Sequence, residues 1–189
     1  IVIYKYYIFA FMVAIDLKKK VRIVNTKEGN YSLAIINKDN NTLKKYVLKF
    51  ENVFTLKETY YQNLAFSIRN NTTGEIENIP MPKLNKVFIE CHSKALGDNI
   101  AWIEVVEAFR KKHNCELVLN TFHHELLQPF YPNIKMKWDT EFPENCDASY
   151  IIGDAINGYS NGDLDIISPK DCRTLSLQEV ACEQLGIEY

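Results

Sequence analysis

The chain opens on an apolar and aromatic run, Tyr6 to Ile15, held between Lys5 and the cluster Lys18-Lys19-Lys20. Its 10 residues fall short of the ~20 that a membrane-spanning helix needs. No small-residue cleavage site follows, because Asp16, Leu17 and the lysines come next. The run reads as a strand or strand pair. A poorly ordered start and a membrane-associated helix are the other readings that a short apolar run leaves open. From residue 20 to about 83 the pattern is that of short strands. Val21 to Val24, Tyr31 to Ile36, Lys45 to Phe50, Val53 to Leu56 and Tyr60 to Ile68 are the runs. The turn clusters among them are Lys38-Asp39-Asn40-Asn41 and Asn70-Asn71-Thr72-Thr73-Gly74. This spacing predicts a small antiparallel sandwich or barrel. Ile79-Pro80-Met81-Pro82 predicts a linker, since proline donates nothing to a strand ladder.

Beyond the prolines the pattern changes. Lys86 to Cys91 is a buried-strand run, and His92-Ser93-Lys94-Ala95-Leu96-Gly97-Asp98 a polar loop. A helix is predicted from about Asn99 to Lys112, with Trp102, Val105, Val106 and Phe109 at i, i+3, i+4 and i+7. Glu104 and Glu107 precede Arg110 and Lys111, the favourable charge order, and Asn114 ends the helix. Strands follow at Leu117 to Leu119, Ile134 to Trp138 and Ser149 to Ile152, with a short helix at His124 to Gln128. Residues 154–171 read as a polar loop, and Leu175 to Leu185 as a helix stopped by Gly186. The expected fold class is therefore α/β plus β. Residues 1–19 are an apolar segment, 20–83 a small β-rich domain, and 84–189 a Rossmann-like domain with a parallel sheet.

Composition narrows the function classes. The 189 residues carry 22 Lys+Arg against 24 Asp+Glu, a net charge of −2, with 47% hydrophobic residues. That balance excludes a disordered tail and a basic nucleic-acid arm. It makes no electrostatic case for nucleic acid or acidic lipid as a partner. The five cysteines are widely spaced and odd in number, which predicts reduced, buried thiols in a reducing compartment. Asn30-Tyr31-Ser32 and Asn71-Thr72-Thr73 match the N-glycosylation pattern and read here as turn composition.

The candidate chemistry lies in the loop after the first strand of the α/β half, where open sheets bind ligands. Asp98 stands at the amino terminus of the predicted helix. It reads either as an N-cap or as a carboxylate held for general-base work. Gly97 suits a tight turn or a close approach of substrate. The loop is neither Walker A nor GxGxxG. His92 is a structural residue or orients Asp98 or the acceptor. His123-His124-Glu125 is a poor metal corner, because adjacent helical residues point about 100° apart. His123 is better placed as a polar contact at a strand end. Asp154, Asp163 and Asp165 lack the spacing of a calcium loop, and Trp102 and Trp138 read as core or interface aromatics.

Ser93-Lys94-Ala95-Leu96-Gly97-Asp98, then Ala101-Trp102, Phe109 to Cys115, Thr121-Phe122-His123, Tyr131-Pro132, Ile152-Gly153 and the tail Leu175 to Gly186 resemble the autotransporter O-heptosyltransferases. The Gly-Asp pair is also similar to that of the wider lipopolysaccharide heptosyltransferase superfamily. The resemblance covers residues 84–189 well, and 20–83 by pattern. It implies the amino-terminal half of a two-Rossmann, GT-B-type, cytoplasmic bacterial enzyme that moves heptose from ADP-heptose to serine hydroxyls of an autotransporter adhesin. It implies Asp98 as the catalytic residue, and Ser93, Lys94, Leu96, Gly97 and His123 as substrate-binding residues. It also brings a structural iron held by a carboxyl-terminal cysteine cluster, which the five cysteines here do not reproduce. No cofactor is expected in this chain, nor stable membrane insertion; whether the full-length parent forms a homo-oligomer is left open. The chain begins at Ile1 and stops at Tyr189 before any second Rossmann domain, so a fragment inactive alone is expected. The alternative is a non-catalytic binding module or truncated gene product.

Overall fold

The computed structural model describes residues 8–10, 13–16, 22–25, 28–48, 53–56, 61–138, 145–153 and 174–189. The chain divides into two compact units, Ile1–Lys83 and Leu84–Tyr189.

In the first unit, period-two burial builds the sheets. Strand β4 (Tyr31–Asn37) buries Tyr31, Leu33 and Ile35, and β7 (Leu64–Asn70) buries Leu64, Phe66 and Ile68. The two pair antiparallel with Leu33 opposite Ile68 and Ile35 opposite Phe66, which sets the apolar side chains on one face. Strands β5 (Thr42–Leu48) and β8 (Ile76–Pro80) flank them in the order β5-β4-β7-β8. A second antiparallel sheet runs β1-β2-β3-β6, from β1 (Ile8–Ala10), β2 (Val13–Asp16), β3 (Arg22–Asn25) and β6 (Val53–Thr55). Ile23 and Leu56 join the inner face of the first sheet in one buried cluster, so the sheets share a core. The apolar amino-terminal run thus contributes the antiparallel strand pair β1 and β2. Among the described residues no helix is long and apolar enough to cross a membrane.

One expectation is corrected here. Ile79-Pro80 is not linker but the end of β8, with Pro80 opposite Ala65. An edge strand tolerates proline because its outer side needs no ladder donor, and β8 is an edge. The two glycosylation-like triplets meet in a side-chain cluster. Asn71 Nδ2 donates to Asn30 Oδ1 at 2.9 Å, and Ser32 Oγ to Asn71 Oδ1 at 3.1 Å.

The second unit is a four-stranded, all-parallel sheet in the order β11-β10-β9-β12. Its strands are β9 (Lys86–Cys91), β10 (Glu116–Asn120), β11 (Lys135–Lys137) and β12 (Ala148–Ile152). The central β9 and β10 bury near-continuous runs, as strands covered on both faces do. Helix α1 (Leu96–His113) joins β9 to β10, α2 (His124–Leu127) lies between β10 and β11, and α3 (Leu177–Leu185) follows β12. Helix α1 buries Trp102, Ile103, Val105, Val106 and Phe109, as the periodicity predicts. Phe109 sets its ring edge-on to Tyr150 of β12 at 5.3 Å. Asn114 ends α1 in the left-handed conformation, φ 47°, after a last turn rich in basic residues that favours the helix dipole. Glu107 pairs with Arg110 at 2.7 Å and Lys111 at 3.5 Å, whereas Glu104 accepts from the Tyr131 hydroxyl at 2.5 Å. Helix α3 begins with a capping box, Ser176 with Glu179, and stops at Gly186, φ 64°. Leu177 is only half-buried, and Cys182 and Gln184 lie on the buried face instead.

Candidate active site

The sheet order reverses at β9, with β10 and β11 on one side and β12 on the other. The crevice outside the carboxyl ends of such strands is the ligand-binding place of open parallel sheets. The loop 92–95 leaves β9 there. His92 donates its backbone N–H to Ile152 of β12 at 2.8 Å, while its side chain is exposed.

Helix α1 begins at Leu96, three residues before the predicted start, and its N-cap is Ala95. Asp98 therefore is not the cap. It is the third helical residue, half-buried in a first turn whose dipole favours a carboxylate. The sequence pattern missed this because the first turn, Leu96-Gly97-Asp98, carries no buried apolar residue. The Ser93 hydroxyl donates to Asp98 Oδ2 at 2.6 Å and accepts from the Ala95 N–H at 3.1 Å. Asp98 Oδ1 has no hydrogen-bond partner among the described residues. A carboxylate steadied through one oxygen and open at the other has the form of a proton acceptor.

The other predicted site residues fall around this pair. Gly97 has ordinary helical backbone rather than a tight turn, and a Cβ there would meet nothing within 4 Å. Leu96 is exposed beside it. His123 reaches the loop, its Nε2 lying 2.8 Å from the Lys94 carbonyl. A carbonyl only accepts, so that nitrogen carries the proton. The Lys94 ammonium stands 5.7 Å from the Phe122 ring centre and 5.8 Å from that of Trp138. Those two rings meet edge-on at 5.5 Å. Of the two tryptophans read as core or interface aromatics, Trp102 is in the core, and Trp138, 42% exposed, is part of this surface.

Sequence reasoning missed three polar residues, Asn99, Thr121 and Gln184, all buried. Asn99 holds the 93–95 loop. Its Nδ2 donates to Ser93 O at 2.9 Å and Ala95 O at 2.7 Å, and its Oδ1 accepts from the Thr121 hydroxyl at 2.6 Å. The available signal was its place on the apolar stripe, three residues before Trp102. Gln184 of α3 grips Gly153 at the end of β12, accepting from its N–H at 3.1 Å and donating to its carbonyl at 2.8 Å.

Cys91, Cys115, Cys146 and Cys182 are free and buried. Burial pushes the Cys91 thiol up to about 12, with Glu90 adding to it, and Cys115 up to about 11. Such thiols are poor metal ligands and nucleophiles at neutral pH. Among the described residues no three His, Cys, Asp or Glu side chains stand together to hold a metal. These cysteines do not fit the structural iron that the resemblance brings. Cys172, Asp154, Asp163, Asp165 and Lys18 to Lys20 lie outside the described residues.

An antiparallel sheet pair joined to an all-parallel α/β unit is the fold of a known glycosyltransferase. The bacterial iron-containing dodecameric glycosyltransferase TibC from enterotoxigenic E. coli matches 93% of this chain with a TM-score of 0.74 at 20% identity. A second structure, the heptosyltransferase TibC in complex with ADP-D-beta-D-heptose, matches with a TM-score of 0.71. In sequence, the chain is 28% identical to the autotransporter heptosyltransferase Aah of Escherichia coli over 172 residues, 88% of this chain. The resemblance to autotransporter heptosyltransferases thus extends along the chain and is not confined to the loop motif. No protein-family model matches. The chain spans 40% of the length of Aah and 46% of TibC.

Proposed function

We propose that this chain is the acceptor-side portion of a protein O-heptosyltransferase of GT-B type, and that Asp98 is its general base. The acceptor is a serine hydroxyl of an autotransporter adhesin and the donor is ADP-heptose. The observation that carries the reading is the Ser93–Asp98 pair, 2.6 Å apart at the carboxyl end of β9, in a chain similar in sequence to a heptosyltransferase. The serine oxygen attacks the anomeric carbon of the heptose. The bond from that carbon to the diphosphate oxygen breaks, ADP leaves with the electron pair, and Asp98 Oδ1 takes the serine proton. Ser93 steadies the carboxylate through its hydrogen bond to Oδ2. Gly97 leaves the first turn of α1 open to the substrate, and Lys94, Leu96 and His123 line the approach. In this reading most donor contacts and the iron cluster belong to a second Rossmann domain of the full-length protein. Free, buried thiols support work in the reducing cytoplasm.

The test is Asp98→Asn in the full-length protein. Asparagine keeps the shape and can still accept from Ser93, but it takes no proton at neutral pH. Transfer to a purified acceptor fragment, followed by intact-protein mass, should fall by ~10²–10⁴, with melting almost unchanged. Near-parental transfer would remove Asp98 from the mechanism. A full-length protein that binds the acceptor fragment yet adds no sugar under any condition would favour a non-catalytic binding module.

A further inference from the structure

We infer that Asn99 is a positioning residue of this site, and that its buried amide, locked to Thr121, sets the 93–95 loop so that the Ser93 hydroxyl meets Asp98. The inference rests on the reading of Asp98 as the base. Asn99 is 1% exposed and Thr121 is fully buried. Both N–H donors of the Asn99 amide are given to loop carbonyls, Ser93 O at 2.9 Å and Ala95 O at 2.7 Å. Carbonyls only accept, so the amide has one possible orientation, with Oδ1 facing Thr121. Thr121 completes the lock. Its hydroxyl donates to Asn99 Oδ1 at 2.6 Å and accepts the His123 N–H at 3.2 Å. His123 in turn holds the Lys94 carbonyl at 2.8 Å. Three consecutive carbonyls, of Ser93, Lys94 and Ala95, are thus anchored from α1 and from the end of β10.

A helix start alone does not need this arrangement. A capping side chain at position 95 would satisfy it, yet that position is alanine and makes no side-chain cap. The anchoring falls on the loop that carries Ser93. Neither Asn99 nor Thr121 hydrogen-bonds Asp98; both act through the Ser93 backbone. Their loss should misplace the Ser93 hydroxyl, and a misplacement of about 1 Å can cost ~10²-fold in rate.

The experiment uses the full-length protein with three variants. Asn99→Asp replaces two donors by an acceptor facing two carbonyls. Thr121→Val removes the hydroxyl at constant shape, and Thr121→Ser keeps it. Thr121→Val should lower kcat about tenfold. KM for the acceptor should stay within about twofold, and Thr121→Ser should restore the parental kcat. Asn99→Asp should lower kcat further; if it fails to fold, the Thr121 pair decides. Anchoring is read independently by amide hydrogen exchange at Ala95, expected about tenfold faster in Thr121→Val and unchanged in Thr121→Ser. Parental kcat in Thr121→Val, beside an inactive Asp98→Asn, would overturn the inference and leave the base reading intact. Full transfer by Asp98→Asn would overturn the base reading, and unchanged exchange in Thr121→Val would by itself overturn the anchoring.

Discussion

His113 shows how a single side chain couples to its surroundings. It closes the last turn of α1, where the helix dipole favours a charged imidazole. Burial works against that charge and wins, with Lys112 adding to it, and pushes the His113 pKa down from 6.5 to about 4. Its ring packs on Phe109 with centres 4.4 Å apart. Between about 4 and 6.5 the unfolded chain binds a proton that the folded one does not. The contribution of His113 to stability is therefore complete above pH 6.5 and is lost as pH falls toward 4. Melting followed from pH 7 to 4.5 should show a decline that is shallower in His113→Phe, which keeps a ring on Phe109 and cannot charge. An equal decline in both proteins would assign it to other groups. Ser93 belongs to the same scale. Ser93→Ala removes the hydrogen bond to Asp98 and the acceptor for the Ala95 N–H, so transfer should fall by more than melting does. Activity per folded molecule, measured at matched fractions folded, checks this.

At the scale of elements, polar side chains at strand ends do the joining. β9 and β12 start together because Asp147 Oδ2 accepts the backbone N–H groups of Asn85 at 2.7 Å and Lys86 at 2.9 Å. They end together through His92 and Ile152. Gln184 ties α3 to the exit of β12 at Gly153, and Lys112 donates to the Gly186 carbonyl at 2.7 Å, tying the ends of α1 and α3. Gln184→Leu fills the space but leaves the N–H and carbonyl of Gly153 buried without this partner. It should cost about 1–3 kcal/mol, read as a lower urea midpoint at unchanged slope. A midpoint equal to the parent's would show that water replaces the amide. Strands β4 and β7 were legible as strand runs, whereas β8 was not and the register came only with the structure. Two prolines next to Ile79 resemble a linker until the position of the strand at a sheet edge is known.

At the scale of the molecule, the described thiols all stand in the core, and none is poised for chemistry. Cys91 and Cys115 are held near 12 and 11, and burial also raises Cys146 and Cys182. Iodoacetamide at pH 8 should therefore leave these four unlabelled in the native protein and label them in urea, as peptide mapping would show. Native labelling of Cys91 would mean that the β9 core opens far more often than a packed parallel strand allows.

The linear chain by itself determined the kinds of element and their order, β8 excepted. Alternation marks β4 and β7, a 3.6-residue stripe marks α1, and Asn114 and Gly186 mark helix ends. Those signals depend on local sterics and on which face of an element meets water. It also marked the loop after β9 as the candidate site, because a polar, glycine-containing loop there follows a buried strand of a parallel sheet. Tertiary structure decided how that loop is held. The role of Asn99 depends on Thr121, 22 residues away, and that of Gln184 on Gly153, 31 residues away. Contacts of that kind leave no periodicity in the sequence, because their geometry arises only when strands distant in the chain become neighbours in the sheet.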